Sequence, residues 1–202
     1  MSEIRLKLHP RQSLAFLSKA TEILYGGAAG GGKSHLMRVV AIMMCMAVAG
    51  IQVYIFRRVS DDLRKNHLEG PSGLRAMLSP LMVSGHCKFN DSKGIFEFWN
   101  GAKIYLCHCQ HEKDMYKYQG AEIHVLLMDE LTLFTEAIFK FLRGRVRLGG
   151  LKVPDKYKGK LPMILCGSNP GNIGHVWVKK TFVYFAPPME ITRTTAAEGG
   201  ML

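Results

Sequence analysis

Two groups of residues in this sequence have the types and spacing to do chemistry. Gly27, four further residues, and then Gly32-Lys33-Ser34 stand between a short apolar run ending at Tyr25 and an uncharged apolar stretch from Val39 to Ala49. A loop made of Gly27, Ala28, Ala29, Gly30, Gly31 and Gly32 has little side chain to cover its backbone amides. Bare amides followed by the start of a helix make an anion site. The spacing is that of a phosphate-binding loop, in which Lys33 neutralises the β and γ oxygens of a nucleotide and the Ser34 hydroxyl ligates Mg²⁺. An ordinary Gly-rich turn is the competing reading. The position, after a strand-like run and before a helix-like one, favours the phosphate.

The second group is Asp129-Glu130, which closes the apolar run from His124. Parallel sheets place ligands at the carboxyl ends of such strands. An aspartate there holds Mg²⁺ through its water shell, and a glutamate beside it polarises a water for attack on a γ-phosphate. Glu130 could instead cap a helix entered over Leu131 to Glu136. A third element, Cys166 to Pro170 ("CGSNP"), again puts small polar groups at the end of an apolar run. Ser168 or Asn169 at such a tip could sense the γ-phosphate, although Asn-Pro also makes a good turn in any protein.

Strand-like and helix-like segments must alternate to position these groups, and they do. The expectation is an α/β fold with a mostly parallel central sheet flanked by helices. Thr21 to Tyr25 reads as a first strand and Lys33 to Ala49 as a helix buried on all sides, with Met37, Met43, Met44 and Met46 as adaptable filler. Gln52 to Arg57 reads as a second strand, Ser60 to His67 as polar helix, and the stretch up to Leu78 as another helical piece. Asn100-Gly101 joins two alternating segments into a hairpin. His124 to Glu130 is a central parallel strand, Leu161 to Pro170 another, and Thr181 to Pro188 ("TFVYFAPP") a last strand at an edge.

At 202 residues the chain suits one domain, residues 1–202, with a full core. Twenty-seven Lys and Arg against sixteen Asp and Glu give +11, which favours a polyanionic partner such as nucleic acid. Five cysteines scattered through apolar segments point away from a disulfide framework and to a reducing compartment. No charged start followed by an apolar stretch suggests secretion, and Val39 to Ala49 is too short to cross a bilayer. Cys107, Cys109, His108 and His111, with His86 and Cys87, have no familiar zinc spacing, so core packing is the better account. The basic run Lys152 to Lys160 reads as a solvated loop that could touch DNA phosphates.

Several stretches, in order along most of the chain from Leu8 to Phe182, resemble the large subunits of tailed-phage terminases, the ATPases that pump DNA into viral capsids. They are "LHPRQ", "GGAAGGGKS", "YIFRRVSDDLRKN", "YQGAEIHVLLMDELTLFTE", "FLRGRVR" and "CGSNPGNIGHVWVKKTF". The resemblance implies a P-loop NTPase of the ASCE type that uses ATP and Mg²⁺. It puts Gln12 at the adenine, Lys33 and Ser34 on phosphate and metal, Asp129 on the metal, Glu130 as catalytic carboxylate, and Ser168 to Asn169 as the coupling motif. It further implies a homo-oligomeric ring around double-stranded DNA, docked on a portal protein and assisted by a small terminase subunit, at the procapsid in the host cell cytoplasm.

Two features depart from that family. Many members carry an arginine early in the phosphate loop, where this chain has Ala28 and Ala29. Arg57, Arg58, Arg143, Arg145 and Arg147 are the candidates to replace it, by insertion into a neighbouring subunit's site or as solvated, DNA-facing cations. The family also continues into a nuclease domain, so the expectation is that nuclease activity belongs to another domain or subunit and not to this chain. Two rivals stay open: a helicase-like P-loop ATPase, and a nucleotide-switched binding module without hydrolysis.

Overall fold

The structure is a computed structural model that describes residues 4, 6–27 and 30–193. Helix α1 (Pro10–Leu17), with proline at its first turn, leads into strand β1 (Glu22–Gly26), the glycine loop and helix α2 (Lys33–Ala47). Strand β2 (Gln52–Arg57) is followed by a short helix α3 (Ser60–Leu63), which runs on as a π turn over Arg64–Leu68. Helices α4 (Leu74–Met77) and α5 (Ser79–Val83) precede the strands β3 (Cys87–Asn90), β4 (Ile95–Phe98) and β5 (Lys103–His108). Strand β6 (Val125–Met128), a tight turn over Leu131–Leu133, helix α6 (Glu136–Arg143), strand β7 (Met163–Ser168) and helix α7 (His175–Val178) complete the order.

The described residues form one seven-stranded sheet in the order β1-β7-β6-β2-β5-β4-β3. Pairings from β1 across to β5 are all parallel, and β4 and β3 add antiparallel strands at one edge. The alternation of side chains puts both faces of the inner strands against helices. Val53, Ile55, Val125, Leu127, Met163 and Leu165 pack in one layer with α2, while their neighbours Tyr54, Phe56, Leu126, Met128, Ile164 and Cys166 pack in the other with α6. Burial on both faces is why these strands read as continuous apolar runs.

The consequence for function lies in the register. β7 is inserted between β1 and β6, Gly26 stands level with Ser168, Cys166 with Met128, and Met128 with Phe56. The residues that follow these strands therefore emerge side by side at one edge of the sheet, with neighbouring strands about 4.8 Å apart.

Three expectations about the elements are corrected. Thr181 to Pro188 is not an edge strand: α7 continues as a π turn over Lys179–Val183. Trp177 and Phe182, five residues apart through the π turn, both pack on Phe139 of α6, with ring centroids 5.1 and 5.9 Å from it, whereas five residues along a strand would put them on opposite faces. Helix α2 is not buried all round, because Met46 is 40% exposed and Met43 half-buried near its end. Finally, β3 was not foreseen; it has only four residues and borrows its order from pairing with β4.

Candidate functional site

The phosphate loop enters between β1 and α2. Gly30 and Gly32 take positive φ, 79° and 71°, so the chain can turn its amides inward before the helix begins. A side chain at Gly32 would also collide with the Gln12 amide, which lies against the loop. Ala28 and Ala29 lie outside the described residues. Lys33, the first residue of α2, is buried, and its Nζ donates to Asn169 Oδ1 at 2.7 Å and to the Gly27 carbonyl at 3.3 Å. Ser34 donates its hydroxyl to Asp129 Oδ2 at 2.9 Å. The 15-residue helix behind this loop adds the positive end of its dipole.

Asp129 follows β6 and is fully buried. Its Oδ2 accepts from three elements: Ser34 of α2, Arg57 Nη1 at the end of β2 at 2.6 Å, and His67 Nε2 in the π turn at 2.9 Å. Its Oδ1 is buried with no hydrogen-bond partner among the described residues. Burial, the largest influence, pushes the Asp129 carboxyl up. The hydrogen bond and charge of His67, the Arg57 guanidinium and the Ser34 hydroxyl outweigh it and hold the group below the usual carboxylate range. His67 is itself depressed, because its complete burial exceeds the raising effect of Asp129.

Glu130 has φ 57° and ψ 55°, the left-handed region that a non-glycine residue enters at a cost of about 1–2 kcal/mol. That backbone turns its side chain toward β7, where both carboxylate oxygens lie 3.2 Å from Asn169 Nδ2. Glu130 does not cap the following helix; Thr135 does, by accepting from the Ile138 amide. Asn169 is in turn held by its carbonyl, which accepts from Thr132 Oγ1 at 2.9 Å and Ser168 Oγ at 3.1 Å. Lys33, Asn169 and Glu130 thus form one continuous polar chain across three neighbouring tips.

Gln12 is 2% exposed and spends its amide on its own chain: Nε2 donates to the Gly32 carbonyl at 2.8 Å and Oε1 accepts from the His9 amide at 2.7 Å. It lines a cavity of about 550 Å³ together with His9, Pro10, Tyr25, Gly31 and His35. That volume lies in the range of small-ligand pockets.

The arginines separate. Arg57 is at the site, on Asp129, and Arg58 Nη1 donates to the Leu133 carbonyl at 2.6 Å. Arg145 and Arg147 are elsewhere: the backbone bonds Ile123 N to Arg145 O and Arg147 N to Ile123 O put them beside the start of β6. Six residues of extended chain, roughly 20 Å, separate Ile123 from Asp129. Arg145 lies over the Phe141 ring, Arg147 is 3.7 Å from Glu122, and Arg143 pairs with Glu22 at the start of β1. Arg145 and Arg147 thus lie away from the site of their own chain, and the expectation that one of them acts in a neighbouring subunit's site is untouched by this placement. His67 was not anticipated as a site residue. Cys107 and Cys109 lie in the apolar core beside Phe56 and Met128, and among the described residues no group of three His, Cys, Asp or Glu is placed to hold a metal.

A glycine loop between β1 and α2, a buried aspartate and a glutamate after β6, and a strand inserted between the two define a P-loop NTPase of the ASCE type. The sequence matches the phage terminase large subunit family over residues 18–196, and the chain belongs to that family. No curated protein sequence matches it. A large terminase from a thermophilic bacteriophage superposes with a TM-score of 0.62 at 16% identity, over 87% of this chain and 42% of that one. The ATPase domain of the Thermus phage P74-26 large terminase gives 0.60 at 16% identity, over 93% and 73%. The N-terminal domain of the bacteriophage phi29 DNA packaging ATPase gives 0.50 at 11%, over 85% of both chains. The chain spans about two-fifths of the length of the first of these proteins.

Proposed function

We propose that this domain binds ATP with Mg²⁺, hydrolyses it, and uses loss of the γ-phosphate to move double-stranded DNA. The observation that carries this reading is the chain from Lys33 through Asn169 to Glu130. It links the group that would meet a γ-phosphate to the group that would activate water, through the residue that follows a separate strand, β7. The base belongs in the cavity under Gln12, the phosphates against the loop amides and Lys33, and the attacking water beside Glu130. Ser34 and Asp129 offer hard oxygen ligands, and the unpartnered Asp129 Oδ1 suits a hydrated cation. Mg²⁺ held by these residues would supply neutralisation of phosphate charge. The large terminase of the thermophilic bacteriophage has also been solved in complex with ADP, which supports nucleotide as the ligand.

Nucleotide binding makes Lys33 exchange Asn169 for phosphate. The freed Asn169 then shifts against Thr132 and the segment leading to α7, since Gly174 N donates to the Thr132 carbonyl at 2.8 Å. In the motor we propose, this displacement reaches DNA in a ring of copies docked on a portal, with a small terminase subunit choosing the DNA, at the procapsid in the host cytoplasm. An arginine from a neighbouring copy, Arg145 or Arg147, completes the site. Nuclease activity is assigned to a further domain or subunit.

Equilibrium binding tests the first step: ATP affinity should fall at least tenfold in Lys33→Ala, and unchanged affinity would refute the assignment of the loop. Displacement of the third strand from a DNA triplex, dependent on ATP, would establish duplex translocation. Strand separation instead would make the domain a helicase.

A further inference from the structure

His67 is fully buried, its ring is aimed at Asp129, and the mechanism above makes no use of it. It reaches that place through an irregularity. The helix begun by α3 widens over Arg64–Leu68, closed by an i to i+5 bond from Glu69 N to Arg64 O at 2.9 Å. Such π turns concentrate at functional sites, because the extra residue re-aims a side chain without ending the helix. Here Lys65 and Asn66 stay at the surface while His67 and Leu68 turn inward. The turn is fastened to the helix behind the phosphate loop, since Arg38 of α2 donates to the Asn66 carbonyl.

The two oxygens of Asp129 are treated very differently. Oδ2 accepts from Ser34, Arg57 and His67, more donors than its two lone pairs serve comfortably, and Oδ1 accepts from nothing among the described residues. An unpaired buried carboxylate oxygen is costly unless an outside partner completes it. In a nucleotide complex Ser34 would turn to the metal, and Arg57 is the counter-charge of Asp129. His67 reaches Asp129 from the π turn, which Arg38 fastens to α2, so its ring is held from behind the site.

We propose that His67 is a positioning residue for Asp129: its Nε2–H fixes one carboxylate oxygen so that the other is kept for the hydrated Mg²⁺ of a bound nucleotide. This rests on the nucleotide-binding function proposed above. Partners of this kind around a metal ligand are worth about 10–100-fold in metal affinity.

Calorimetric titration of ADP into the protein, with and without Mg²⁺, tests it in wild type, His67→Gln and His67→Met. Gln keeps a donor near the place of Nε2, and Met fills a similar volume with none. His67→Met should lose about tenfold of the tightening that Mg²⁺ gives to ADP, with Mg²⁺-free affinity within about twofold of wild type, while His67→Gln keeps most of it. Equal behaviour of the two variants, or an equal loss with and without Mg²⁺, would overturn the positioning role. Wild-type protein that binds ADP indifferently to Mg²⁺ would overturn it and leave nucleotide binding standing; wild type that binds no ADP would remove both. If His67→Met does not fold, ¹⁵N-labelled histidine in wild-type protein decides, with the His67 signals assigned by their loss in His67→Gln. A protonated Nε2 whose resonance moves with Mg²⁺·ADP and not with ADP supports the proposal, and one that moves with neither contradicts it.

Discussion

Asn169 stands between the phosphate-loop lysine and the carboxylate after β6: its amide oxygen is 2.7 Å from Lys33 Nζ and its amide nitrogen 3.2 Å from both oxygens of Glu130. One neutral side chain therefore satisfies a cation and an anion at once, and its neutrality can be tested. Asn169→Asp would give Lys33 a charged partner and set a carboxylate where phosphate oxygens must come. ATP affinity should fall at least tenfold, about 1.4 kcal/mol, whereas Asn169→Ala should leave it within about threefold of wild type. Fluorescent-nucleotide titration of both variants reads the difference, and equal effects would mean that Asn169 does not compete with phosphate.

Arg57 neutralises a buried charge. Removing one partner of such a pair costs about 3 kcal/mol, since Asp129 is fully buried and Arg57 only 13% exposed. For a domain of this size Arg57→Ala should lower Tm by roughly 6–12 °C. Mg²⁺ with ADP should then raise Tm by more than in wild type, because the cation restores lost positive charge. Thermal unfolding with and without ligand tests both statements.

Glu130 holds a strained backbone for the sake of its side chain. Asparagine tolerates the left-handed region better, so Glu130→Asn should unfold at a temperature no lower than wild type and yet show no turnover. A marked fall in Tm would show that the carboxylate also carries stability.

Burial raises the thiols of Cys87 and Cys107 to about 12 and, with Asp114 nearby, that of Cys109 to about 11. Groups whose pKa is higher folded than unfolded contribute stability that is complete below the unfolded value, near 8.5, and is lost as pH rises through the folded value. Tm should therefore decline between about pH 9 and pH 12, and at pH 8 the folded protein should react with a disulfide reagent only as fast as it opens. Fast reaction of more than one thiol in native protein would contradict this.

Much of the site was legible because its residues sit at the ends of uninterrupted apolar runs. Val125 to Met128 and Met163 to Ser168 are buried on both faces, so composition alone marks them as central strands and the residues at their ends as candidates for a site. The Asn100-Gly101 hairpin was equally plain, with Gly101 at φ 79°. What was missed depends on tertiary packing. Val183, Tyr184 and Phe185 have strand-like composition, but Phe139 of α6 gives Trp177 and Phe182 a helical partner. His67 lies in a polar stretch whose helical period is broken by the π turn, so no periodicity points it inward. The place of Arg145 and Arg147, expected in a neighbour's site, was not legible either, because α6 returns the chain to the other end of the sheet. Chain proximity to a catalytic strand is no guide once a helix has reversed direction.

In the proposed mechanism the carboxylate linked to Lys33 through Asn169 activates water on ATP. Steady-state phosphate release from ATP and Mg²⁺, with and without duplex DNA and over a range of protein concentrations, tests it most directly when wild type and Glu130→Gln are compared. Turnover should rise faster than linearly with protein, as a site completed by a neighbour's arginine requires, and fall at least a hundredfold in Glu130→Gln while ATP still binds. Equal turnover in the two proteins, or bound ATP that wild type never hydrolyses even with duplex DNA and its packaging partners present, would contradict it.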